Sequence, residues 1–162
     1  MLRRRQHGLL PPVLVLAVLT GGCTATSSPT APASCTVTQP NGQRPPEESA
    51  GGNYYGNAAL VTILYPAGVV QTSPDLVQAD GSIAQKFPWW RLVEGQLGIT
   101  GRRLDGAAPP AHGEVPDGYG SSGFQASGIV FPSPGCWEIT GTVGSASLTF
   151  VTWVTPPPAP GA

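Results

Sequence analysis

The chain carries very little charge. It has 8 lysines and arginines and 9 aspartates and glutamates among its 162 residues, and this 10% compares with about a quarter in an average soluble protein. Beyond residue 5 the basic side chains are few and scattered, at Arg44, Lys86, Arg91, Arg102 and Arg103. Binding to a nucleic-acid backbone requires several clustered cations. The composition therefore argues against nucleic acid as a partner.

Residues suited to catalysis are scarce as well. After the N-terminal segment the sequence has a single histidine, His112, and it has neither a Gly-x-Ser-x-Gly motif nor a His-x-x-x-His pair. A catalytic triad can be written by combining His112 with a nearby serine and carboxylate, namely Ser121 or Ser122 and Asp105 or Asp117. However, nothing around His112 in the sequence would orient its imidazole. An exposed loop histidine is the simpler interpretation, and a hydrolase is the least favoured function.

The sequence contains few residues that could bind a metal ion. After the N-terminal segment His112 is the one histidine, and we expect Cys35 and Cys136 to pair with each other in a disulfide. Too few ligands then remain for zinc. The carboxylates are scattered, and Asp80-Gly81 is more typical of a turn than of a calcium loop, although one calcium site made of loop oxygens stays open. We therefore predict no metal, no cofactor and no catalytic residue, and we expect that the protein is not an enzyme.

The longest apolar run lies at the N-terminus. Arg3 to Arg5 precede the eleven-residue segment Leu9–Leu19, which is too short to cross a bilayer that requires about 20 helical residues. Gly21 and Gly22 follow with the small side chains that a signal peptidase needs, and Cys23 comes directly after them. This arrangement is typical of a cleaved export signal.

The segment Leu19-Thr20-Gly21-Gly22-Cys23 resembles the signal of bacterial lipoproteins, with its leucine one residue earlier than that motif prefers. The resemblance implies a signal peptide over residues 1–22 and a palmitate-bearing lipid on Cys23. It further implies anchoring at the extracytoplasmic face of the cell membrane. The alternative is an ordinary secretory signal, cleaved near Gly21 or Ala25. Polar residues after Arg5 favour the Sec route over twin-arginine export.

The cysteine count supports lipidation. The chain has three cysteines, Cys23, Cys35 and Cys136, and an odd number in an exported protein requires an explanation. If a lipid occupies Cys23, the other two remain as an even pair in a compartment where disulfides persist. We predict a Cys35–Cys136 disulfide, which would contribute roughly 4–5 kcal/mol by closing a loop of about 100 residues. Two buried free thiols are the alternative.

The rest of the chain divides into three parts. Residues 23–34 contain the lipidation site and a linker of serine, threonine, proline and alanine, which has no apolar residue large enough to form a core. Residues 35–155 contain the large apolar side chains and form one domain. Residues 156–162 are a proline-rich tail.

Strand-like runs rather than helical periodicity occupy residues 35–155. They cover residues 59–65, 82–87, 96–104, 124–131, 136–143 and 146–154, and only residues 74–79 could form a turn or two of helix. Gly144-Ser145, between the last two runs, suits a two-residue hairpin connection. The sequence therefore predicts an all-β fold, an antiparallel β-sandwich of about six to eight strands.

Residues 133–140 (SPGCWEIT) resemble the penultimate strand of bacterial immunoglobulin-like modules, in which an aromatic residue after the turn fixes a corner of the sandwich. Strand alternation places Trp137 and Ile139 on one face and Cys136 on the other. With the first two in the core, the disulfide would hold the segment around Cys35 across an outer face or edge. Residues 87–105 and 123–150 also resemble a family of secreted bacterial lipoproteins that has no established activity.

Aromatic side chains are the one feature of the sequence that suggests ligand binding. Trp89 and Trp90 are adjacent, so in a strand they point to opposite faces, and we expect one of them in the core and the other at the surface or at a sheet edge. Tyr54, Tyr55 and Tyr119 lie near glycines and could extend a surface patch. Such patches bind sugar rings by stacking. The competing interpretation is that these rings simply pack the core and its rim.

These observations favour a membrane-anchored, non-enzymatic module with an immunoglobulin-like domain that serves surface display, adhesion or envelope structure. The membrane is then a partner through the lipid on Cys23, and another envelope protein or a cell-wall glycan is the second partner. The alternative function is a carbohydrate-binding module that uses Tyr54, Tyr55, Trp89, Trp90 and Tyr119.

Overall fold

The computed structural model describes residues 29–159, so Cys23 and the predicted signal peptide lie outside the described residues. Within that range the chain forms eleven β-strands and two short 3-10 turns, Pro66–Gly68 and Pro74–Leu76. The strands are β1 (Tyr54–Gly56), β2 (Leu60–Ile63), β3 (Val69–Val70), β4 (Ile83–Lys86), β5 (Trp89–Arg91), β6 (Gly98–Arg103), β7 (Ala111–Glu114), β8 (Gly123–Gln125), β9 (Gly128–Phe131), β10 (Gly135–Val143) and β11 (Ala146–Val154). The predicted all-β class is confirmed.

The strands form two sheets that pack as a sandwich. The smaller sheet has the order β1-β2-β5-β8, and the larger has the order β3-β11-β10-β6-β7-β9-β4. Neighbouring strands are antiparallel except β3 and β11, which are parallel. The sandwich architecture is as predicted, with more strands than the six to eight expected, because several of them have only two to four residues.

The hairpin β10–β11 contains the two longest strands of the larger sheet. Its register runs without interruption from Gly135 opposite Val154 to Val143 opposite Ala146. Gly144 makes the turn with φ +56°, a left-handed conformation that costs glycine little. The predicted hairpin and its Gly144-Ser145 connection are confirmed.

The core lies between the two sheets and is rich in aromatic rings. Phe87 stacks on Phe150 with ring centroids 5.6 Å apart, and Trp89 of the smaller sheet lies 6.0 Å from the same ring. Trp137 is fully buried, and its indole N–H donates a hydrogen bond to the carbonyl of Ser133 at 3.0 Å. This bond ties Trp137 to the turn before β10, at the corner where the sequence predicts an aromatic residue.

The predicted cysteine pair is joined. Cys35 and Cys136 form a disulfide with their Cα atoms 5.6 Å apart. Trp137 and Ile139 belong to the core cluster, so alternation along β10 places Cys136 on the outer face of the sheet. The N-terminal segment follows β11, because the N–H of Thr38 donates to the carbonyl of Val151 at 3.0 Å. The disulfide thus holds this segment on the sheet, and both cysteines are buried.

Two local expectations are wrong. Residues 124–131 form two strands rather than one, since β8 joins the smaller sheet and β9 the larger one. His112 lies in strand β7 rather than in a loop, paired with Thr100 and Val130, and its side chain is exposed. The expected helical turn at residues 74–79 is shorter, a single 3-10 turn at Pro74–Leu76.

Candidate functional site: an aromatic row and a cleft over Arg91

The two adjacent tryptophans of β5 point to opposite faces of the smaller sheet. Trp89 is fully buried in the core between the sheets. Trp90 faces outward, opposite Val61 of β2 and Phe124 of β8. Trp90 is nevertheless 95% buried, with an exposed fraction of only 5%. The expected division between the faces is correct, but the outward indole is covered by its neighbours.

A line of four aromatic rings crosses the outer face of the smaller sheet. Tyr54 contacts Trp90 edge to face with centroids 5.8 Å apart, and Trp90 contacts Phe124 in the same way at 5.3 Å. Phe124 in turn contacts Tyr119 at 6.2 Å. We call these four residues the aromatic row. Its Tyr54 end is buried, and its other end is open, because Tyr119 is 40% and Phe124 46% exposed.

The five aromatic residues predicted from the sequence do not form one exposed platform. Tyr54 is buried, and its hydroxyl donates to the carboxylate of Glu48 at 3.0 Å; burial and this hydrogen bond both raise the pKa of the Tyr54 phenol. Tyr55 is half-buried against the main core and donates to the carbonyl of Thr149 at 3.1 Å. Of the five, Tyr119 alone is exposed.

Sequence reasoning missed Phe124, which is the most exposed large hydrophobic residue among residues 29–159. An isolated apolar residue in a short strand is ordinarily assigned to the core. The register places Phe124 opposite Trp90, and therefore on the outer face of the sheet. The structure buries the polar Gln125 and exposes Phe124, the reverse of the usual alternation, so the sequence carried no signal for this placement.

A cleft of about 390 Å³ opens beside the exposed end of the aromatic row. Its walls come from the turn after β5 and from the loop between β7 and β8, and Tyr119 belongs to both the row and the cleft. Gln125 supports one wall, since its side-chain amide donates to the carbonyls of Pro116 at 3.2 Å and Ala126 at 3.1 Å. The cleft and the two exposed rings form one continuous site.

Arg91 lines this cleft and is only 3% exposed. Its guanidinium donates three hydrogen bonds to main-chain carbonyls: Nη1 to Gly95 at 2.6 Å and to Ser121 at 3.2 Å, and Nη2 to Gly120. Arg91 therefore joins the two walls of the cleft. Its Nε is buried without any hydrogen-bond acceptor among the described residues.

Gly95 is required by this geometry. Its φ of +141° lies in a region that side chains avoid. A β-carbon there would also lie 2.8 Å from Cγ1 of Val143. Glycine at this position lets the turn after β5 bring its carbonyl close to Arg91.

The other residues considered for catalysis or metal binding do not come together in one site. Within the described part of the chain, no hydrogen bond or ion pair joins His112 to a serine or a carboxylate. Asp105 is paired instead with Arg103 at 2.7 Å. Residues 29–159 contain no group of three or more potential metal ligands, and no helix in that range is long and apolar enough to cross a membrane.

Neither a protein-family model, nor a curated protein, nor a solved structure matches this chain.

Proposed function

We propose that this protein is a non-enzymatic lipoprotein module, anchored through Cys23 at the extracytoplasmic face of the membrane, that binds a glycan of the cell envelope. The observation that carries the proposal is a pair of exposed rings in contact with each other, Tyr119, which lines the cleft, and Phe124 beside it. Surface display and adhesion describe the role of such a module, and glycan contact supplies the mechanism of adhesion.

Aromatic rings suit this task because the C–H faces of a sugar stack on them while polar neighbours fix the orientation of its hydroxyl groups. Tyr119 contributes a phenol and a ring, and Phe124 contributes a ring on a rigid strand. Contact with buried Trp90 holds Phe124 in place. A ring that is already ordered loses little conformational entropy when a ligand binds.

The non-enzymatic part of the proposal is supported by what surrounds the candidate catalytic groups. His112 lies on the larger sheet, paired through β7 with β6 and β9, and the cleft is lined by other residues. A nucleophile and a base within hydrogen-bonding distance are the usual signature of a hydrolase. Binding without turnover is the function that these residues support.

The proposal is tested by binding of the full-length protein, purified in detergent, to purified cell-wall polysaccharide and exopolysaccharide. Tyr119→Ala and Phe124→Ala should each weaken retention by about tenfold, the effect of roughly 1–1.5 kcal/mol per stacking ring. Leu104→Ala is the matched control, because Leu104 is equally exposed at 41% but lies outside the aromatic row. Retention that is unchanged in both aromatic variants, or lost equally in the control, would contradict the proposal.

A further inference from the structure

The burial of Arg91 has an energetic cost that the fold only partly offsets. A guanidinium removed from water costs several kcal/mol unless it is paired with an opposite charge. In the described part of the chain the ion pairs are Arg102 with Glu138 and Arg103 with Asp105, both on the larger sheet. Arg91 has only neutral carbonyl acceptors. Its positive charge is therefore buried without a counter-ion from residues 29–159.

The hydrogen bonds of Arg91 leave one part of the guanidinium unused. A guanidinium has five N–H donors, and three of them meet the carbonyls of Gly95, Gly120 and Ser121. The remaining two belong to Nε, which has no acceptor, and to Nη2, which has one. Nε is buried from the cleft as well as from water, so of these two donors the one on Nη2 is the candidate for a ligand.

Arg91 lies in the same cleft as the exposed ring of Tyr119. Arg91 and Tyr119 line the same cleft, whose volume of about 390 Å³ accommodates a sugar-sized group. A sugar stacked on Tyr119 would present its substituents to the interior of the cleft. An anionic substituent there would provide the counter-ion that Arg91 lacks.

We propose that the cleft is an anion-binding subsite, in which the uncompensated charge of Arg91 and the remaining N–H of its Nη2 bind a carboxylate or phosphate group carried by the glycan. This inference rests on the proposed function and narrows the ligand to an acidic saccharide. A neutral glycan would leave the Arg91 charge uncompensated and would bind more weakly.

Asp117 limits how strongly an anion binds. Its carboxylate lines the same cleft, is exposed, and forms no ion pair with Arg91. A carboxylate near the entering anion repels it, and an exposed pair of like charges weakens binding by about two- to fivefold. Asp117→Asn should accordingly strengthen anion binding by that factor.

The inference is tested by following the arginine Nε–H resonances of the ¹⁵N-labelled full-length protein in detergent by NMR. The probes are sodium glucuronate, glucose 6-phosphate, inorganic phosphate and glucose. The Arg91 signal, identified by its loss in Arg91→Lys or by through-bond assignment in the wild type, should shift with glucuronate or glucose 6-phosphate and not with glucose. Comparison of the first two ligands shows whether the site prefers a carboxylate or a phosphate.

The two proposals fail in different ways. Glucose that binds as tightly as glucuronate, with dependence on Tyr119 and no shift at Arg91, would overturn the anion subsite and leave the glycan module standing. Inorganic phosphate that shifts Arg91 while no saccharide binds would overturn both proposals, because the cleft would then bind small anions rather than an acidic glycan. No shift at Arg91 with any of the anions, together with unchanged affinity in Asp117→Asn, would also overturn the subsite.

Discussion

The indole of Trp89 lies directly against the backbone of Gly141. A β-carbon at position 141 would be 2.5 Å from both Cη2 and Cζ3 of the Trp89 ring, closer than carbon atoms approach each other without a clash. Trp89 belongs to β5 of the smaller sheet and Gly141 to β10 of the larger one. This contact therefore determines how closely the two sheets approach at the centre of the sandwich.

Gly141→Ala should destabilise the domain by about 1–3 kcal/mol, because the added methyl group forces Trp89 or a sheet to move. The measurement is the free energy of unfolding in urea. Gly106→Ala is the matched control, since a β-carbon there meets nothing closer than 3.6 Å. Equal unfolding midpoints for the two variants would show that the sheets are not in close contact at this point.

The two fully buried tryptophans should respond differently to the same substitution. The indole N–H of Trp137 donates to the carbonyl of Ser133, whereas that of Trp89 is buried without an acceptor among the described residues. Trp137→Phe removes a hydrogen bond, and Trp89→Phe removes an unsatisfied donor. Trp137→Phe should therefore cost about 1 kcal/mol more in unfolding free energy. A larger loss for Trp89→Phe would contradict the hydrogen bonding described here.

Removal of the disulfide should release the N-terminal segment and destabilise the domain. The bridge joins residues 101 positions apart, for which the chain-entropy model gives roughly 4–5 kcal/mol. The double variant Cys35→Ser/Cys136→Ser should lose about that amount, and the backbone amide of Thr38 should lose its protection from hydrogen exchange. Cys23→Ser, which leaves the bridge intact, is the control. A double variant as stable as the control would contradict this account.

Acid should weaken the corner where Arg103 pairs with Asp105. Partial burial by itself would raise the pKa of the Asp105 carboxyl, but hydrogen bonds from Arg103 and from the backbone N–H of Cys136 lower it below its ordinary value. A carboxyl whose pKa is lower in the folded state stabilises the fold above its unfolded pKa of about 3.9, and this contribution disappears as the pH falls through the folded value.

Asp105→Asn should therefore flatten the decline in unfolding free energy between about pH 5 and pH 2. The measurement is urea unfolding at a series of pH values. Glu47→Gln, which removes an exposed carboxylate, should retain the slope of the wild type. A variant at position 105 with the same slope as the wild type would mean that the pair contributes nothing at acid pH.

The sequence predicted the long elements of the fold and the four-residue strands β2 and β4, but it missed four other short strands. The hairpin β10–β11 has nine residues in each strand and a glycine turn, so its alternating pattern is strong enough to identify. Strands β1, β3, β5 and β7 have two to four residues each. Such segments are too short for a periodic signal, and their conformation follows from the strands with which they pair.

The candidate site was less predictable for the same reason. The sequence pointed to Tyr119, but Phe124 and Arg91 entered the site through sheet register and through three main-chain carbonyls. Alternation placed Arg91 on the same face as Trp89, and the structure shows that this is the core face. An arginine on the core face of a strand indicates either a buried ion pair or a binding site.

The lipid anchor is tested by the location of the protein in cells. Two acyl chains attached through Cys23 should hold the wild type in the membrane fraction, since two chains are sufficient for stable anchoring. Cys23→Ala removes the attachment site and should appear in the soluble fraction or the medium, and Thr24→Ala should remain with the membrane as the matched control. A Cys23→Ala protein that stays in the membrane fraction would contradict the lipid anchor. A wild type found in the medium would favour the ordinary secretory signal instead.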